Sequence, residues 1–349
     1  MTHVHAVVPD GIDDATRPSG GNAYDRRVLD GLRVAGWTVH EHPVAGEWPH
    51  PDATALAGLA SVVAEVPTGS VLLVDGLVAS CSADVLVHEA ARVRLVVLVH
   101  LPLVAEDAAA GPEEGRVLAS AAAVVSTSQW TRRLLLDAYA LGDDTVHVAH
   151  PGVDDAPLAP GTPTGGSLLC VGAVSPLKGQ TDLADALGQV ADLPWRAVLA
   201  GALDVAPEHV ADVRRRVAAA GIGDRVGLVG PLAPQALDRA YAAADLVVVP
   251  SRVETYGMVV TEALARGLPV LATHVGGVPE ALGDAPDVPG LLVPPGGAGP
   301  LAAALRAWLG DGDLRSRLRA RAARRRATLR PWSRTVADVA RVLEGVSRD

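Results

Sequence analysis

Short runs that are apolar at every position alternate along this chain with longer segments whose apolar residues recur every three or four positions. The first kind reads as buried strand and the second as amphipathic helix. HVHAVV (3–8) is a strand, AYDRRVLDGLRVAG (23–36) a helix ending at Gly36, and WTVHEH the next strand. TALAGLASVVAEV (54–66) is helical and SVLLVDG (70–76) strand-like. A helix around 83–91, the run RLVVLVH (94–100), a helix near 113–121, strand AAVVST, helix QWTRRLLLDAYAL and strand TVHVAH follow. Strands without polar alternation, separated by helices, indicate parallel sheets covered on both faces.

The rhythm breaks at PGVDDAPLAPGTPTGG (151–166), rich in Pro, Gly and Thr, and then resumes. SLLCVGAV, RAVLAGA, RVGLVG, DLVVVPS, LPVLATHV and GLLVPP are strand candidates, most of them separated by alanine-rich helices. The expected class is α/β, with two doubly wound, Rossmann-like domains. The expected boundaries are 1–155, a linker at 156–166, 167–330, and a last helical segment at 331–349 that crosses back to the first domain. Open α/β sheets take ligands at the carboxyl ends of their strands, so two such domains with facing edges would form a central cleft.

Composition narrows the class. The 349 residues carry a formal charge of −10, which argues against nucleic acid as partner. The sequence has no apolar run near the ~20 residues that span a bilayer, and no secretory signal is read at the N-terminus, so a cytoplasmic location is expected. The two cysteines, Cys81 and Cys170, form no disulfide framework. Eight arginines between Arg315 and Arg330 read as a solvated helix face, with peripheral contact to an anionic membrane on the cytoplasmic side as the alternative. Among the 30 basic side chains only one is a lysine, Lys178, and Asn22 is the single asparagine.

The chemistry concentrates in ADLVVVPSRVETYGMVVTEALARGLPVLATHVGGVPEAL, residues 244–282. A strand runs into Pro250-Ser251-Arg252-Val253-Glu254-Thr255, and a helix starts near Gly257. Amides at a helix start lack intrahelical partners and sit at the positive end of the dipole, which suits a pyrophosphate. The amides of Tyr256, Gly257 and Met258 are the candidate donors, and Gly257 permits close approach. Glu254 and Glu262, eight residues apart, would repel phosphate but can accept hydrogen bonds from sugar hydroxyls, Glu254 from a hexose and Glu262 from a ribose.

This series resembles the retaining, glycogen-synthase-like glycosyltransferases with the GT-B fold, known as family 4 or glycosyl transferases group 1. SGGNAYDRRVLDGLRVAGWTVH resembles the family's N-terminal glycine loop and first helix, VGAVSPLKGQ its "VGRL…KG" loop, and SRVETYGMVVTEALARGLPV its E-x7-E donor motif. THVGGVPEAL and DVPGLLVPPGG resemble the two loops that follow. The resemblance implies a metal-independent enzyme, without cofactor, that moves a sugar from a nucleoside-diphosphate donor to an acceptor hydroxyl with retention. It places Lys178 on the donor pyrophosphate, a task in which arginine does not substitute. His100, ending the run 94–99, would contact the transferred sugar. Gly20 and Gly21 would form a loop near the donor phosphates or the acceptor, with Asn22 capping the first helix.

One departure matters. The family's loop carries an arginine where this chain has Ala173, and Arg252 is the candidate to replace it. The departure keeps open a catalytically weak nucleotide-sugar-binding protein, with a nucleotide-sugar 2-epimerase on the same fold as a further alternative. Asp311-Gly-Asp313 reads as a turn between helices. His3, His5, His40, His42 and His50 show no metal-ligand spacing. Acceptor, donor base and oligomeric state are not legible.

Overall fold

The computed structural model describes residues 2–105, 111–283 and 288–348. The chain divides into two compact units, Met1–Asp14 with Gly20–Gly152 and Arg330–Asp349, and Ala15–Ser19 with Val153–Leu329.

The first unit contains β1 (His3–Pro9), α1 (Gly20–Val34), β2 (Thr38–Val44), α2 (Ala53–Ala64), β3 (Val71–Asp75), α3 (Gly76–Ala79), α4 (Ala83–Glu89), β4 (Arg94–Val99), α5 (Gly111–Ser120), β5 (Ala123–Ser126), α6 (Gln129–Tyr139) and β6 (Val146–Val148). The second runs through β7 (Ser167–Val171), α7 (Gln180–Gln189), β8 (Arg196–Ala200), α8 (Pro207–Ala219), β9 (Val226–Gly230), α9 (Pro234–Ala243), β10 (Leu246–Val249), α10 (Met258–Ala265), β11 (Val270–Thr273), α11 (Val278–Leu282), β12 (Gly290–Val293), α12 (Ala298–Gly310) and α13 (Gly312–Arg326). The final helix, α14 (Trp332–Arg348), belongs to the first unit, where it buries Val336, Val339 and Leu343 against the same core as α1.

Each unit has a six-stranded sheet whose strand pairs are all parallel, ordered β2-β1-β3-β4-β5-β6 and β12-β11-β10-β7-β8-β9. Both faces of each sheet carry a core. Val7, Val74 and Val97 lie in one cluster of the first unit, and Ala6, Leu73 and Val96 in the other. This two-sided burial is why β4 could not alternate apolar and polar residues. Both sheets reverse their winding at a switch point, between β1 and β3 in the first unit and between β7 and β10 in the second. Ligands of doubly wound sheets bind at such points.

Two local expectations are corrected. Gly20 and Gly21 are not a loop before the first helix but its first turn, and Asn22 lies inside that turn instead of capping it, donating to the Gly11 carbonyl at 3.3 Å. The short α3 was not anticipated, since four residues are too few to show periodicity. Asp75 caps it by accepting from the Leu77 and Val78 amides at 2.9 and 3.3 Å. Asp311 is likewise a helix cap, accepting from the Leu314 amide of α13 at 2.9 Å.

The Pro-rich stretch ends on a buried anchor. Asp245 is fully buried and accepts from the Thr162 amide and hydroxyl, both at 2.6 Å, and from the Ser167 amide at 2.9 Å. Arg319 of α13 completes the set at 2.6 Å. Other guanidiniums of the arginine-rich helix also point into the protein. Arg315 donates to the Trp308 and Leu309 carbonyls, Arg325 to Leu282 and Arg326 to Ala156. No helix among the described residues is long and apolar enough to cross a membrane.

Candidate active site

In the second unit β7 and β10 are sheet neighbours, and the loops at their carboxyl ends bring two motif residues together. Lys178 follows β7 at the end of a single 3-10 turn, and Glu254 follows β10. Lys178 Nζ lies 2.7 Å from Glu254 Oε2, across 76 residues of sequence. The Ser251 hydroxyl donates to the same carboxylate oxygen at 3.2 Å. The Glu254 side chain is 14% exposed and that of Lys178 35%, so the pair is reachable from solvent.

Glycines make this approach possible. Gly179 has φ +67°, and a Cβ there would lie 2.1 Å from the Pro250 carbonyl oxygen. On the other side, a Cβ at Gly276 would meet the Glu254 carbonyl oxygen at 1.7 Å, and the Gly277 amide donates to that same oxygen at 2.9 Å. The loop after β11 therefore clamps the backbone that carries Glu254. Thr273, at the end of β11, donates its hydroxyl to the Ser251 carbonyl.

α10 opens on Gly257, whose φ of +91° is left-handed. Thr255, Tyr256, Gly257 and Met258 thus occupy the approach to a helix start, with the Tyr256 side chain buried. Glu262 lies one turn further along α10. It accepts from the Tyr241 hydroxyl at 2.7 Å, while Arg266 stacks on the Tyr241 ring at 4.5 Å and donates to the Glu262 carbonyl at 3.0 Å. Burial pushes the Glu262 carboxyl upward, against the opposing pull of Tyr241 and Arg266. Arg252 turns elsewhere: its guanidinium makes a bidentate pair with Asp182 of α7, at 3.0 and 3.1 Å. The Ala173 carbonyl accepts from the Gln180 side chain at 3.0 Å.

In the first unit the switch point carries a second cluster. His100 follows β4, Asp75 ends β3, and Asp25 sits in α1. His100 Nε2 is 2.6 Å from Asp25 Oδ1 and 3.6 Å from Asp75 Oδ2. Asp25 is 5% exposed and Asp75 3%. Asp25 and Asp75 both border a small cavity lined also by Ala6, Val28 and Leu98. Burial opposes a charged imidazole, but the two carboxylates outweigh it and the His100 pKa is raised. Burial, and then Asp25, push the Asp75 carboxyl up to about 8. Gly21 packs against the imidazole: a Cβ there would stand 3.1 Å from the ring. Glu114, fully buried, holds the backbone just beyond His100 by accepting from the Leu103 and Val104 amides at 3.0 and 3.2 Å.

The motif reading names His100, Lys178 and Glu254, which lie in these two clusters, and does not name Asp25 or Asp75 beside His100. A signal for Asp25 existed. It falls in the stripe Asp25-Val28-Leu29-Leu32, every member of which is buried, so a carboxylate stood among core positions.

Two doubly wound units, each with its sheet reversing once, define the GT-B class of fold. Residues 163–325 match the family model described as "Glycosyl transferases group 1", so the second unit is a group 1 glycosyltransferase domain, and the resemblance to family 4 holds. The chain is similar to the D-inositol 3-phosphate glycosyltransferase of Jonesia denitrificans, with 35% identity over 251 residues covering 66% of this chain and 58% of that protein. It is similar also to the protein of that name from Kineococcus radiotolerans, at 34% over 260 residues, covering 64% and 60%. The chain thus spans less than two thirds of the length of these relatives. A sucrose-phosphate synthase from Thermosynechococcus elongatus shares the fold at 22% identity and a TM-score of 0.81, covering 99% of both chains. HepE of Anabaena, solved with UDP and glucose, shares it at 19% and 0.79, covering 99% of this chain and 100% of that one.

Proposed function

We propose that this chain is a retaining glycosyltransferase that moves a sugar from a nucleoside-diphosphate donor to an acceptor hydroxyl without a metal ion or cofactor. The observation that carries the reading is the meeting of Lys178 and Glu254 at the switch point of the second unit, beside the start of α10. A cation, a helix start and a carboxylate within one loop cluster match the parts of a nucleotide sugar. The diphosphate takes Lys178 and the amides of Tyr256, Gly257 and Met258, the hexose hydroxyls take Glu254, and the ribose takes Glu262. Positive charge fixed at the leaving diphosphate stabilises the charge that develops as the glycosidic bond breaks. On the same-face path implied by the family resemblance, the departing phosphate oxygen accepts the acceptor's proton. His100 is assigned to the transferred sugar, and Gly20 and Gly21 to the donor phosphates or the acceptor.

With Ala173 in place of the family arginine and Arg252 held by Asp182, Lys178 carries more of the leaving-group charge than in relatives that have both cations. That is the specific ground for a weakly catalytic, nucleotide-sugar-binding reading as the alternative. A nucleotide-sugar 2-epimerase is the other reading to separate. The relatives' names make an inositol phosphate the first acceptor to try, beside other polyols, lipids and saccharides.

The experiment is incubation of the purified chain with a panel of nucleotide sugars, with and without those acceptors, followed by mass spectrometry and NMR of products. Transfer with an unchanged anomeric configuration supports the proposal. Binding without transfer or hydrolysis would favour the alternative, and an epimerised donor from incubation without acceptor would identify the epimerase.

A further inference from the structure

At one edge of the first sheet, on β1 and β2, lies a group of side chains that sugar transfer does not use. β1 carries His3 and His5, and the edge strand β2 carries His40 and His42. Both strands are parallel and paired with His5 opposite His40, so the four imidazoles alternate along one face of the sheet. They form one stack: ring centroids are 5.4 Å apart for His3 and His40, 4.6 Å for His40 and His5, and 5.3 Å for His5 and His42, with interplanar angles of 17° or less. Hydrogen bonds join the rings in pairs. His3 Nδ1 and His40 Nε2 are 3.1 Å apart, and His5 Nδ1 and His42 Nε2 are 3.0 Å apart.

We propose that this histidine ladder is a binding site for divalent transition-metal ions, with one ion held by His3 and His40 and a second by His5 and His42.

Two ligand nitrogens on a tetrahedral ion at ~2.0–2.1 Å stand ~3.3 Å apart, so each pair needs only a small opening to chelate. Imidazole is the ligand that Cu²⁺, Ni²⁺ and Zn²⁺ favour over Mg²⁺ or Ca²⁺. In each neutral pair one nitrogen carries a proton and the other accepts it. Chelation requires the donor ring to move its proton to its other nitrogen, a tautomer change with no net proton release. Metal ligation needs neutral rings. Burial, and then the neighbouring histidines, lower the His5 pKa, and the same causes lower that of His42, with Glu65 as an opposing carboxylate. A metal ion removes the need for one ring to act as donor to the next.

The ladder lies along the faces of β1 and β2, while Asp75 and His100 lie at the carboxyl ends of β3 and β4, so the site is separate from the candidate active site. Titration calorimetry of the untagged chain with Ni²⁺, Zn²⁺ and Cu²⁺, in excess Mg²⁺ at neutral pH, tests it. The expected stoichiometry approaches two ions per chain, with Cu²⁺ tightest. His5→Gln/His42→Gln and His3→Gln/His40→Gln each leave one ion, and the fourfold variant leaves none, with circular dichroism confirming that each is folded. A wild-type chain that takes up no millimolar Ni²⁺ would overturn the proposal. So would a fourfold variant that binds as the wild type does, which would move the ions to a group such as Asp25, Asp75 and His100.

Discussion

His100 Nε2 lies 2.6 Å from Asp25 Oδ1, in a site where Asp25 is 5% exposed. The contact fixes the orientation of the ring and the nitrogen that bears its proton. It also biases the charge, because Asp25 and Asp75 raise the His100 pKa against the effect of burial. In Asp25→Asn the anion is gone and burial acts with less opposition. The His100 titration, followed by NMR of the imidazole carbon-bound protons, should shift to lower pH. An unchanged midpoint would show that Asp25 does not set the charge on the ring.

Asp75 adds a pH dependence to stability. Its folded pKa is raised to about 8, above an unfolded value near 4. A raised folded pKa means that the folded state binds the proton more tightly, so the associated stability is full below the unfolded pKa and is lost as pH rises toward 8. Asp75→Asn retains a side-chain acceptor for the Leu77 and Val78 amides but cannot ionise. Urea unfolding from pH 4 to pH 8 should show the variant gaining on the wild type as pH rises. A constant difference across that range would contradict the assignment.

Lys178 and Glu254 are expected to be unequal in a useful way. Removing a charged group from a site of developing charge costs about 10²–10³ in rate, and Lys178→Ala should fall in that range. Lys178→Arg should not restore the rate, because a planar guanidinium does not reproduce a compact ammonium. Glu254→Ala should lose as much or more, since it removes the proposed hexose contact as well as the partner of Lys178. Steady-state transfer or donor hydrolysis at wild-type rates in either alanine variant would refute the site.

Gly276 is tested by size alone. Alanine at φ +52° with its Cβ 1.7 Å from the Glu254 carbonyl oxygen cannot fit without moving the loop that carries Glu254. The left-handed backbone by itself costs about 1–2 kcal/mol. Gly276→Ala should weaken nucleotide-sugar binding in a thermal-shift assay, while Gly299→Ala, with open space around it, should not.

Asp245→Ala removes a buried carboxylate and strands four donors, the Arg319 guanidinium among them. Breaking a buried pair costs about 3–5 kcal/mol. The unfolding midpoint in urea should fall accordingly, and a midpoint within error of the wild type would mean that the anchor is dispensable.

The alternation of apolar runs and helical stripes was enough to read both parallel sheets, because strands buried on both faces leave a plain signature. The residues proposed to hold the donor lie on short loops with fixed spacing, and two of them, Lys178 and Glu254, meet in space. What escaped was whatever depends on register or on chain crossing. The pairs His3/His5 and His40/His42 show the two-residue spacing of one strand face, but only the pairing of β1 with β2 brings them together. Arg252 lies two residues from Glu254 in sequence, yet it turns to Asp182 on α7. The arginine-rich helix looked like a solvent-facing stripe because sequence does not show backbone carbonyls, and these are what several of its guanidiniums bind.

The ion pair of Lys178 also gives the chain a chemical handle. With no second lysine, its side chain is the sole ε-amine, and at 35% exposure an acylating reagent can reach it. Apart from the α-amine, labelling therefore reports one address, and its slowing by a bound nucleotide would map occupancy directly, without need of an acceptor or of turnover.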